Sequence, residues 1–487
     1  MDMICQQPNN TNIISPLCLM AGGGVPGSTE TAGKDSAARC SLHGSPGHAA
    51  VIGLGRSGLA TAVFLSKQGL DVDVYDSNAK PALSDQLRQL APDVRIIGGS
   101  LAVESWRDDS LLVVSPGVPL SHPDLSPLLA QGVRPVGDVE LFAQCVQAPV
   151  IAITGSNGKS TVTVMLGEIL KHAGLKAAVG GNIGVPVLEL LENDNDSHEI
   201  YVLELSSFQL ETTWSLNAAS ATVLNIAADH MDRYRDIDDY IASKQRIYNG
   251  NGKMLLNADD PYTPRLLQAN REQIFFGASR PANEQDYGLC EIDKTVYLCR
   301  GTGSLMRADA VPLAGQHNLL NVLAAWALAS SAGVADSTIK EAVTVFKGLP
   351  HRMECLGEID GVEWINDSKG TNVGATVAAI SGLQNPVVLI AGGIAKDADF
   401  TALLDVAKTR VRAAILIGRD ADRIAEVLSA EIPVQRAGSM DDAVALAAQI
   451  ARQGDTVLLS PACASFDMFN SFEHRGDEFR RCVGGLR

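Results

Sequence analysis

The sequence has no long apolar run, no excess of basic residues and no paired cysteine motif, and each absence excludes a class of protein. Charged residues make up 20% of the 487 residues, and the formal net charge is -17. Such an acidic surface repels the phosphates of nucleic acids and anionic lipids. No apolar stretch approaches the ~20 residues that a transmembrane helix needs. We therefore expect a globular cytoplasmic protein that associates stably with neither nucleic acid nor membrane.

The nine cysteines are odd in number and scattered along the chain. This pattern is typical of reduced thiols in a cytosolic protein. We expect six of them to be small buried apolar side chains: Cys145, Cys290, Cys299, Cys355, Cys463 and Cys482.

The first 47 residues differ from the rest of the chain because they are rich in glycine, serine and other small or polar residues. They lack the basic start and following apolar stretch of a secretory signal. Their composition predicts a disordered N-terminal extension, residues 1–47, that takes no part in the fold.

The remaining sequence divides into three blocks that each alternate short apolar strands with helical stretches. This alternation predicts an α/β fold of three domains, each built on a mainly parallel sheet with helices. At roughly 100–200 residues per domain, the length also fits about three domains. The expected boundaries are 48–137, 138–347 and 348–487.

The strongest functional motif is a glycine-rich loop between an apolar strand and a helix. It consists of Thr154-Gly155-Ser156-Asn157-Gly158-Lys159-Ser160. In such a loop the backbone N–H groups close around phosphate oxygens, the helix N-terminus adds positive potential and the lysine neutralises the terminal phosphates. We call residues 154–160 the phosphate loop, and we expect Ser160 or Thr161 to hold Mg²⁺.

Two acidic or polar positions follow strands of the same block. Glu204 comes directly after an apolar strand, where a Mg²⁺ ligand beside a phosphate loop belongs. His230 follows another strand within Asp229-His230-Met231-Asp232. The pattern leaves open whether His230 is a metal ligand or an ordinary loop histidine.

The first block contains a second glycine-rich loop, Gly53-Leu54-Gly55-Arg56-Ser57-Gly58, with Asp76 about twenty residues further on. We call residues 53–58 the glycine loop. Its spacing matches the dinucleotide-binding fingerprint, but glycines and a helix N-terminus recognise pyrophosphate rather than nicotinamide. A nicotinamide enzyme would leave the second phosphate loop unexplained, whereas a UDP-linked substrate would not.

Polar clusters surround the strands of the third block. Arg352 and the segment from Asn366 to Asn372 could screen phosphate charge, and Asp367 could accept hydrogen bonds from ribose hydroxyls. Lys396 follows a buried strand, where a cation for a carboxylate would be useful. Cys463 has no evident histidine–carboxylate pair, so we do not expect a nucleophile there.

These motifs resemble the Mur ligase family over roughly Ala49 to the C-terminus. The resemblance rests on five stretches: residues 151–161, 180–184, 203–210, 229–234 and 349–352. It implies a Rossmann-like N-terminal domain for the UDP part of a substrate, a P-loop-type central domain for ATP and Mg²⁺, and a Rossmann-like C-terminal domain for an amino acid.

The resemblance also implies an activity. A monomer would join D-glutamate to UDP-N-acetylmuramoyl-L-alanine through an acyl phosphate, releasing ADP and phosphate, in peptidoglycan precursor synthesis. The alternatives are a sister wall-peptide ligase, a folylpolyglutamate-type ligase, a nicotinamide oxidoreductase, or a nucleotide-binding module without catalysis.

The family's functional residues map onto matching positions of this sequence. The implied catalytic residues are Lys159, Asn182, His230 and Lys244. The implied ATP contacts are Gly155, Ser156, Asn157, Gly158, Lys159, Ser160, Thr161, His317, Asn318, Arg352 and Asp367. The implied UDP contacts are Gly55, Ser57, Asp76, Ser77, Ser115 and Gly117. The implied D-glutamate contacts are Thr371, Lys396, Ser465 and Phe472. The implied metal ligands are Ser160, Glu204, His230 and Lys244, the last as a carbamate, although by pattern alone Lys244 would be an exposed lysine on an amphipathic helix.

Overall fold

The computed structural model describes residues 40, 42–44, 46–103, 105–192, 198–269, 271–313, 315–395 and 398–486. Three sheets follow one another along these residues, and most of their strand pairs are parallel. The prediction of an α/β fold with three mainly parallel sheets is confirmed. None of the helices in the described ranges combines the length and the apolarity needed to span a bilayer.

The first sheet has four parallel strands in the order β3-β2-β1-β4. Its strands are β1 (His48–Ile52), β2 (Asp71–Asp76), β3 (Arg95–Gly98) and β4 (Ser110–Val114). Its helices are α1 (Arg56–Lys67), α2 (Ser84–Leu90) and α3 (Ser126–Ala130), and α4 (Asp138–Cys145) leads to the next sheet. Every residue of β1 is buried, because helices and loops cover both faces of a parallel sheet. We call this unit the first domain.

The second sheet has nine strands in the order β13-β12-β11-β10-β9-β8-β5-β7-β6. Its strands are β5 (Val150–Thr154), β6 (Ala177–Gly181), β7 (Ile200–Glu204), β8 (Ser220–Val223), β9 (Lys253–Asn257), β10 (Gln273–Phe276), β11 (Tyr287–Ile292), β12 (Thr295–Arg300) and β13 (Gly303–Arg307). The last three strands pair antiparallel, and the others pair parallel. We call this unit the middle domain.

Seven helices accompany the middle domain in the described residues. They are α5 (Lys159–His172), α6 (Val187–Glu192), α7 (Ser207–Leu210), α8 (Ile237–Gln245), α9 (Thr263–Leu266), α10 (Gln316–Ser331) and α11 (Asp336–Val345). Residues 321–329 form the buried centre of α10. Helices α5, α10 and α11 share one core, centred on the fully buried Trp326.

The third sheet has six strands in the order β14-β15-β19-β16-β17-β18. Its strands are β14 (Glu354–Ile359), β15 (Val362–Asn366), β16 (Val387–Gly392), β17 (Val411–Ile417), β18 (Val434–Arg436) and β19 (Thr456–Leu459). Its helices are α12 (Val373–Gly382), α13 (Thr401–Arg410), α14 (Ala421–Leu428), α15 (Met440–Ile450) and α16 (Phe472–Gly484). Only the edge strand β14 pairs antiparallel among these described strands. We call this unit the third domain.

The cysteines correct one prediction. Cys40 and Cys145 form a disulfide across 105 positions of sequence, so these two are not reduced thiols. Cys355 is exposed rather than buried, whereas Cys290, Cys299, Cys463 and Cys482 are buried as predicted. The pairing was invisible in the sequence because it depends on folding that brings the segment before β1 against the end of α4.

The described residues between Cys40 and Gly47 also depart from the predicted disordered extension. Leu42 is 7% exposed and belongs to the core that contains α1 and α4. The backbone N–H of His43 donates to Gln144 Oε1 at 3.0 Å, and that of Cys40 donates to Gln68 Oε1 at 2.9 Å. These residues therefore belong to the folded body, and residues 1–39 lie outside the described part of the chain.

Candidate active site

Two cavities lie where the carboxyl ends of the central strands of the middle domain face the third domain. The first, of about 310 Å³, contains the phosphate loop, Glu204, His230 and Lys244. The second, of about 320 Å³, contains His317, Asn318 and Asp367. Both cavities are lined by Asn157, Gly158, Arg352 and Lys369. The predicted phosphate loop therefore lies between two hollows of different character.

The phosphate loop has the backbone that its sequence predicts. Gly158 caps the N-terminus of α5 at φ +83°, a left-handed conformation that glycine adopts without strain. Lys159 Nζ donates to Gly155 O at 2.8 Å and to Ser156 O at 2.9 Å. Burial lowers the pKa of Lys159, and the nearby charges of Glu204 and Asp229 partly oppose that shift. The lysine is thus folded over the loop, within reach of any anion that the loop binds.

Glu204 has an oxygen without a partner. Asn182 Nδ2 donates to Glu204 Oε1 at 2.7 Å, while Glu204 Oε2 is buried and accepts no hydrogen bond from the described residues. Leaving a buried carboxylate oxygen unpaired is costly unless a donor or cation satisfies it. The carboxylate is therefore suited to receiving a hard cation, which prefers oxygen ligands.

Lys244 lies in the interior and not on a helix surface. Its side chain emerges from α8, the residue is 1% exposed, and Nζ donates to Gly155 O at 2.9 Å. The same Nζ lies 4.7 Å from the ring centroid of Tyr240, whose hydroxyl is 2.9 Å from Ser156 Oγ. Burial, with a smaller contribution from Lys159, holds the pKa of Lys244 well below its usual value. The neutral form of this amine is therefore easier to reach than that of an exposed lysine.

His230 is held in an unusual backbone conformation at the mouth of the first cavity. Its φ of +58° is rare for a residue other than glycine, and such strain often occurs at functional sites. Its ring packs on Phe208 at 4.7 Å, and its Nε2 is 3.7 Å from Asp229 Oδ2. The histidine thus lines the first cavity beside a carboxylate.

The third domain brings two cations to the phosphate loop. Arg352 Nη2 donates to Ser160 Oγ at 2.6 Å, and Asn372 Nδ2 donates to Asn157 Oδ1 at 3.0 Å. Lys369 Nζ lies 3.7 Å from the ring centroid of Phe472, and burial lowers the pKa of Lys369 to about 8. Several cationic side chains around one loop repel each other, and a bound anion removes this repulsion. This part of the site is therefore built to hold a polyanion.

The second cavity is less charged. Burial lowers the pKa of His317 to about 4, so its imidazole is neutral at physiological pH. Burial raises the pKa of Asp367 to about 7, although Ser460 Oγ donates to its Oδ2 at 2.8 Å. Leu224 and Phe276 add apolar surface. A partly apolar hollow with fewer charges than the first cavity, beside a phosphate loop, suits a nucleobase and its ribose.

The residues predicted to contact D-glutamate are brought together in part. Thr371, Ser465 and Phe472 line the first cavity, on its third-domain side. Lys396 lies outside the described residues. Lys369, which belongs to the segment expected to screen phosphate charge, lines the same cavity. Tyr240 also lines it and was missed, because nothing in its sequence neighbourhood signals a functional residue.

The predicted UDP contacts lie in the first domain, and none of them lines either cavity. Asp76 Oδ2 accepts from the backbone N–H of Leu54 at 2.8 Å, and its Oδ1 accepts from that of Asn78 at 2.8 Å. Ser115 Oγ donates to Gly53 O at 2.8 Å. A Cβ at Gly58 would lie 1.9 Å from Gly53 O, so this packing requires glycine. Asp76 and Ser115 hold the glycine loop in shape.

Known families match all three domains. The Mur ligase MurD-like N-terminal domain matches residues 47–137, the Mur ligase middle domain matches residues 153–329, and the Mur ligase glutamate ligase domain matches residues 351–463.

Curated relatives match nearly the whole chain. The UDP-N-acetylmuramoylalanine--D-glutamate ligase of Nitrosococcus oceani is 49% identical over 435 residues, covering 89% of this chain and 95% of the relative. The enzyme of the same name from Marinobacter nauticus is 46% identical over 439 residues, covering 90% of this chain and 98% of the relative.

Solved structures support the fold. MurF from Acinetobacter baumannii has a TM-score of 0.60 at 20% identity, covering 85% of this chain and 90% of that one. A pseudomurein peptide ligase type C from Methanothermus fervidus has a TM-score of 0.58 at 18% identity, covering 90% of this chain and 100% of that one.

Proposed function

The chain belongs to the Mur ligase family, and on that premise we propose that it joins D-glutamate to UDP-N-acetylmuramoyl-L-alanine at the expense of ATP. The products are ADP, phosphate and the extended UDP-linked precursor of peptidoglycan. The observation that carries this proposal is the first cavity, where the phosphate loop, Glu204, Lys244 and the third-domain cations line one space. A nicotinamide oxidoreductase would have no use for that cluster.

ATP occupies the second cavity with its base and ribose, and its phosphates extend over the phosphate loop into the first. Asp367 accepts hydrogen bonds from the ribose, and the neutral His317 and Asn318 border the base. Lys159 and Arg352 face the terminal phosphates. These cations and the loop N–H groups stabilise the charge that moves as the γ-phosphoryl passes to the substrate carboxylate.

The resulting acyl phosphate is attacked by the amine of D-glutamate, and phosphate leaves. Thr371, Ser465 and Phe472 hold the amino acid on the third-domain side, and Lys396 supplies a cation for one of its carboxylates. Asn182 and His230 flank the reacting carboxyl group. Because an acyl phosphate is hydrolysed by water, the third domain has to cover the site during the reaction.

Magnesium fits the same cavity. Glu204 Oε2 is buried and unpaired among the described residues, and Ser160 Oγ lies on the same loop as Lys159. No group of three or more histidine, cysteine or acidic side chains suited to a metal occurs in the described part of the chain. Such a sparse protein set suits Mg²⁺, which usually takes one or two carboxylates and completes its shell with phosphate and water oxygens. The ion supplies positive charge to the phosphates, and Glu204, Ser160 and His230 would hold it.

Lys244 would complete the metal site as a carbamate. Because burial lowers the pKa of this amine, its neutral form is easier to reach than in an exposed lysine, and that form can add CO₂ at its nitrogen with loss of one proton. The carbamate oxygens would offer ligands of the kind that Mg²⁺ prefers. The buried position of Nζ behind the phosphate loop supports this role.

The UDP part of the substrate binds at the glycine loop, where Gly55, Ser57, Ser77 and Gly117 contact it. Asp76 and Ser115 shape that loop. We place the reaction in the cytoplasm, where ATP is available, and we propose that the enzyme acts as a monomer.

The decisive experiment measures phosphate release from ATP with UDP-N-acetylmuramoyl-L-alanine and one amino acid at a time. We expect release with D-glutamate and not with L-glutamate, L-alanine or meso-diaminopimelate, and none when either substrate is omitted. Release with L-glutamate and a folate would instead identify a folylpolyglutamate-type ligase. Binding of ATP without release under any condition would identify a module without catalysis.

A further inference from the structure

Arg233 joins the two halves of the proposed substrate site. Its side chain is 11% exposed and makes four hydrogen bonds. Nη1 donates to Pro116 O at 2.8 Å, and Nη2 donates to Val118 O at 3.2 Å, both in the first domain. Nε and Nη2 donate to the two carboxylate oxygens of Glu211 in the middle domain at 3.2 and 2.6 Å. One guanidinium therefore bridges two domains.

The first-domain end of this bridge lies against the glycine loop. Pro116 and Val118 follow Ser115, whose hydroxyl donates to Gly53 O. A Cβ at Gly53 would lie 2.9 Å from Val118 Cγ2, so the two loops are in close contact. The carbonyl groups that Arg233 holds are thus part of the support of the proposed UDP site.

The other end of the bridge lies against the reacting centre. Arg233 N donates to His230 O at 2.9 Å, which ties the arginine to the strained histidine by its backbone. Its guanidinium carbon lies 4.2 Å above the ring centroid of Phe208, and the His230 ring packs on Phe208 at 4.7 Å. Phe208 and His230 both line the first cavity.

We infer that Arg233 is a positioning residue that fixes the distance and orientation between the UDP-binding loops and the carboxylate-activating centre. This inference rests on the proposed function, because it requires one substrate that reaches from the first domain to the phosphate loop. Such a substrate reacts only if both of its ends are in register, and a misplacement of about 1 Å costs on the order of 10²-fold in rate. Ligands that bind at one end of the site only, such as UDP or ADP, do not require the two ends to be aligned.

The experiment compares a spanning substrate with fragments. Arg233→Gln, Arg233→Lys and the matched control Arg235→Gln are assayed for turnover of UDP-N-acetylmuramoyl-L-alanine, and for inhibition by UDP alone and by ADP alone. Arg235 is two residues away and forms an exposed ion pair with Asp239, its side chain being 84% exposed. Exposed ion pairs of this kind contribute little to the free energy of folding.

We expect Arg233→Gln to lower kcat for the spanning substrate about ten- to a hundredfold, while the inhibition constants of UDP and ADP stay within about threefold of wild type. Arg233→Lys should recover part of the rate, because an ammonium keeps the charge but not the planar fork. Arg235→Gln should behave as wild type. If Arg233→Gln does not fold, Arg233→Lys is judged by the same comparison against wild type.

Two results would overturn the inference. One is a kcat within about threefold of wild type, whether or not KM rises, since lost positioning must appear in kcat. The other is a loss of UDP or ADP affinity as large as the loss of kcat, which would indicate a general structural role. A wild-type chain without turnover on this substrate would instead refute the proposed function, so the two failures are distinguishable.

Discussion

The phosphate loop and the glycine loop follow the same pattern of strand, glycine-rich turn and helix, yet their surroundings differ. Around the phosphate loop the chain gathers buried and half-buried charges from two domains, among them Lys159, Glu204 and Arg352. Around the glycine loop the polar side chains of Asp76 and Ser115 are occupied by backbone groups of the loop and its neighbours. The charges around the phosphate loop are unbalanced until an anionic ligand binds. The polar groups around the glycine loop already have hydrogen-bond partners within the protein.

This difference indicates that the phosphate loop takes part in the reaction, whereas the glycine loop only binds the substrate. Moving a phosphoryl group requires fixed charges where charge develops in the transition state. Holding the distant end of a substrate requires only a rigid loop of the right shape. A GxGxxG spacing therefore says little about the reaction, and the charges that the rest of the fold brings to a loop decide it.

The difference between the two loops is tested most strongly by removing Lys159, the cation of the phosphate loop. Lys159→Ala should lower turnover by about 10²- to 10³-fold or more, the cost of losing a group aimed at the transition state. The melting temperature should change little, because the hydrogen bonds that this lysine makes in the described part of the chain go to carbonyl groups of its own loop. Lys253→Ala, which removes an exposed lysine paired with Glu272, is the control. Near-normal turnover in Lys159→Ala would contradict the assignment of the loop.

A smaller loss is expected when the buried lysine behind the loop is removed. Lys244→Ala should lower activity by about ten- to a hundredfold, the range for groups that act through a metal site. Formate or acetate should restore part of the activity if an anionic carbamate is what was lost. The assay is turnover with each acid titrated, and wild type with the same acids is the control. Full activity without any added acid would refute the carbamate.

The glycine loop should respond in substrate binding alone. In Gly58→Ala the new Cβ would collide with Gly53 O, so the loop must shift. We expect KM for the UDP-linked substrate to rise about tenfold, equivalent to about 1.4 kcal/mol, while KM for ATP stays unchanged. Gly484→Ala, where a Cβ meets nothing within 4 Å, is the control. A parallel rise in KM for ATP would show that the two loops are not independent.

The smallest effect concerns pH. Because burial raises the pKa of Asp367 to about 7, its carboxyl group is mostly protonated at pH 6 and mostly ionised at pH 8. The ionised form accepts hydrogen bonds from ribose more strongly, so KM for ATP should fall about three- to tenfold from pH 6 to pH 8. Asp367→Asn should flatten this dependence. An equally steep profile in the variant would assign the titration to another group.

Local patterns in the sequence predicted the elements that carry the site. The phosphate loop and strand β7 ending at Glu204 are each specified by neighbouring residues, so their prediction succeeded. The hydrogen bond from Arg352 to Ser160 and the four bonds of Arg233 join residues far apart in sequence. Such contacts depend on how domains pack, and no local period encodes them.

The burial of Lys244 is a second example of a feature that local sequence patterns do not predict. Its helix, α8, carries polar residues on several positions, and by pattern alone the lysine belonged on a surface. The fold instead directs it to Gly155 O behind the phosphate loop. Only the resemblance to a known family pointed to its importance, because tertiary packing and not helical periodicity decides its environment.

The Cys40–Cys145 bridge makes the entire first domain a covalent ring, since the two cysteines enclose its sheet and helices. A protease that cuts once anywhere between them would open the ring without releasing a piece. The nicked protein would keep its apparent mass on a non-reducing gel and separate into two fragments only after a reductant is added. The ring also limits how far the first domain can expand when it unfolds, so a reductant should lower the temperature at which that domain loses its structure.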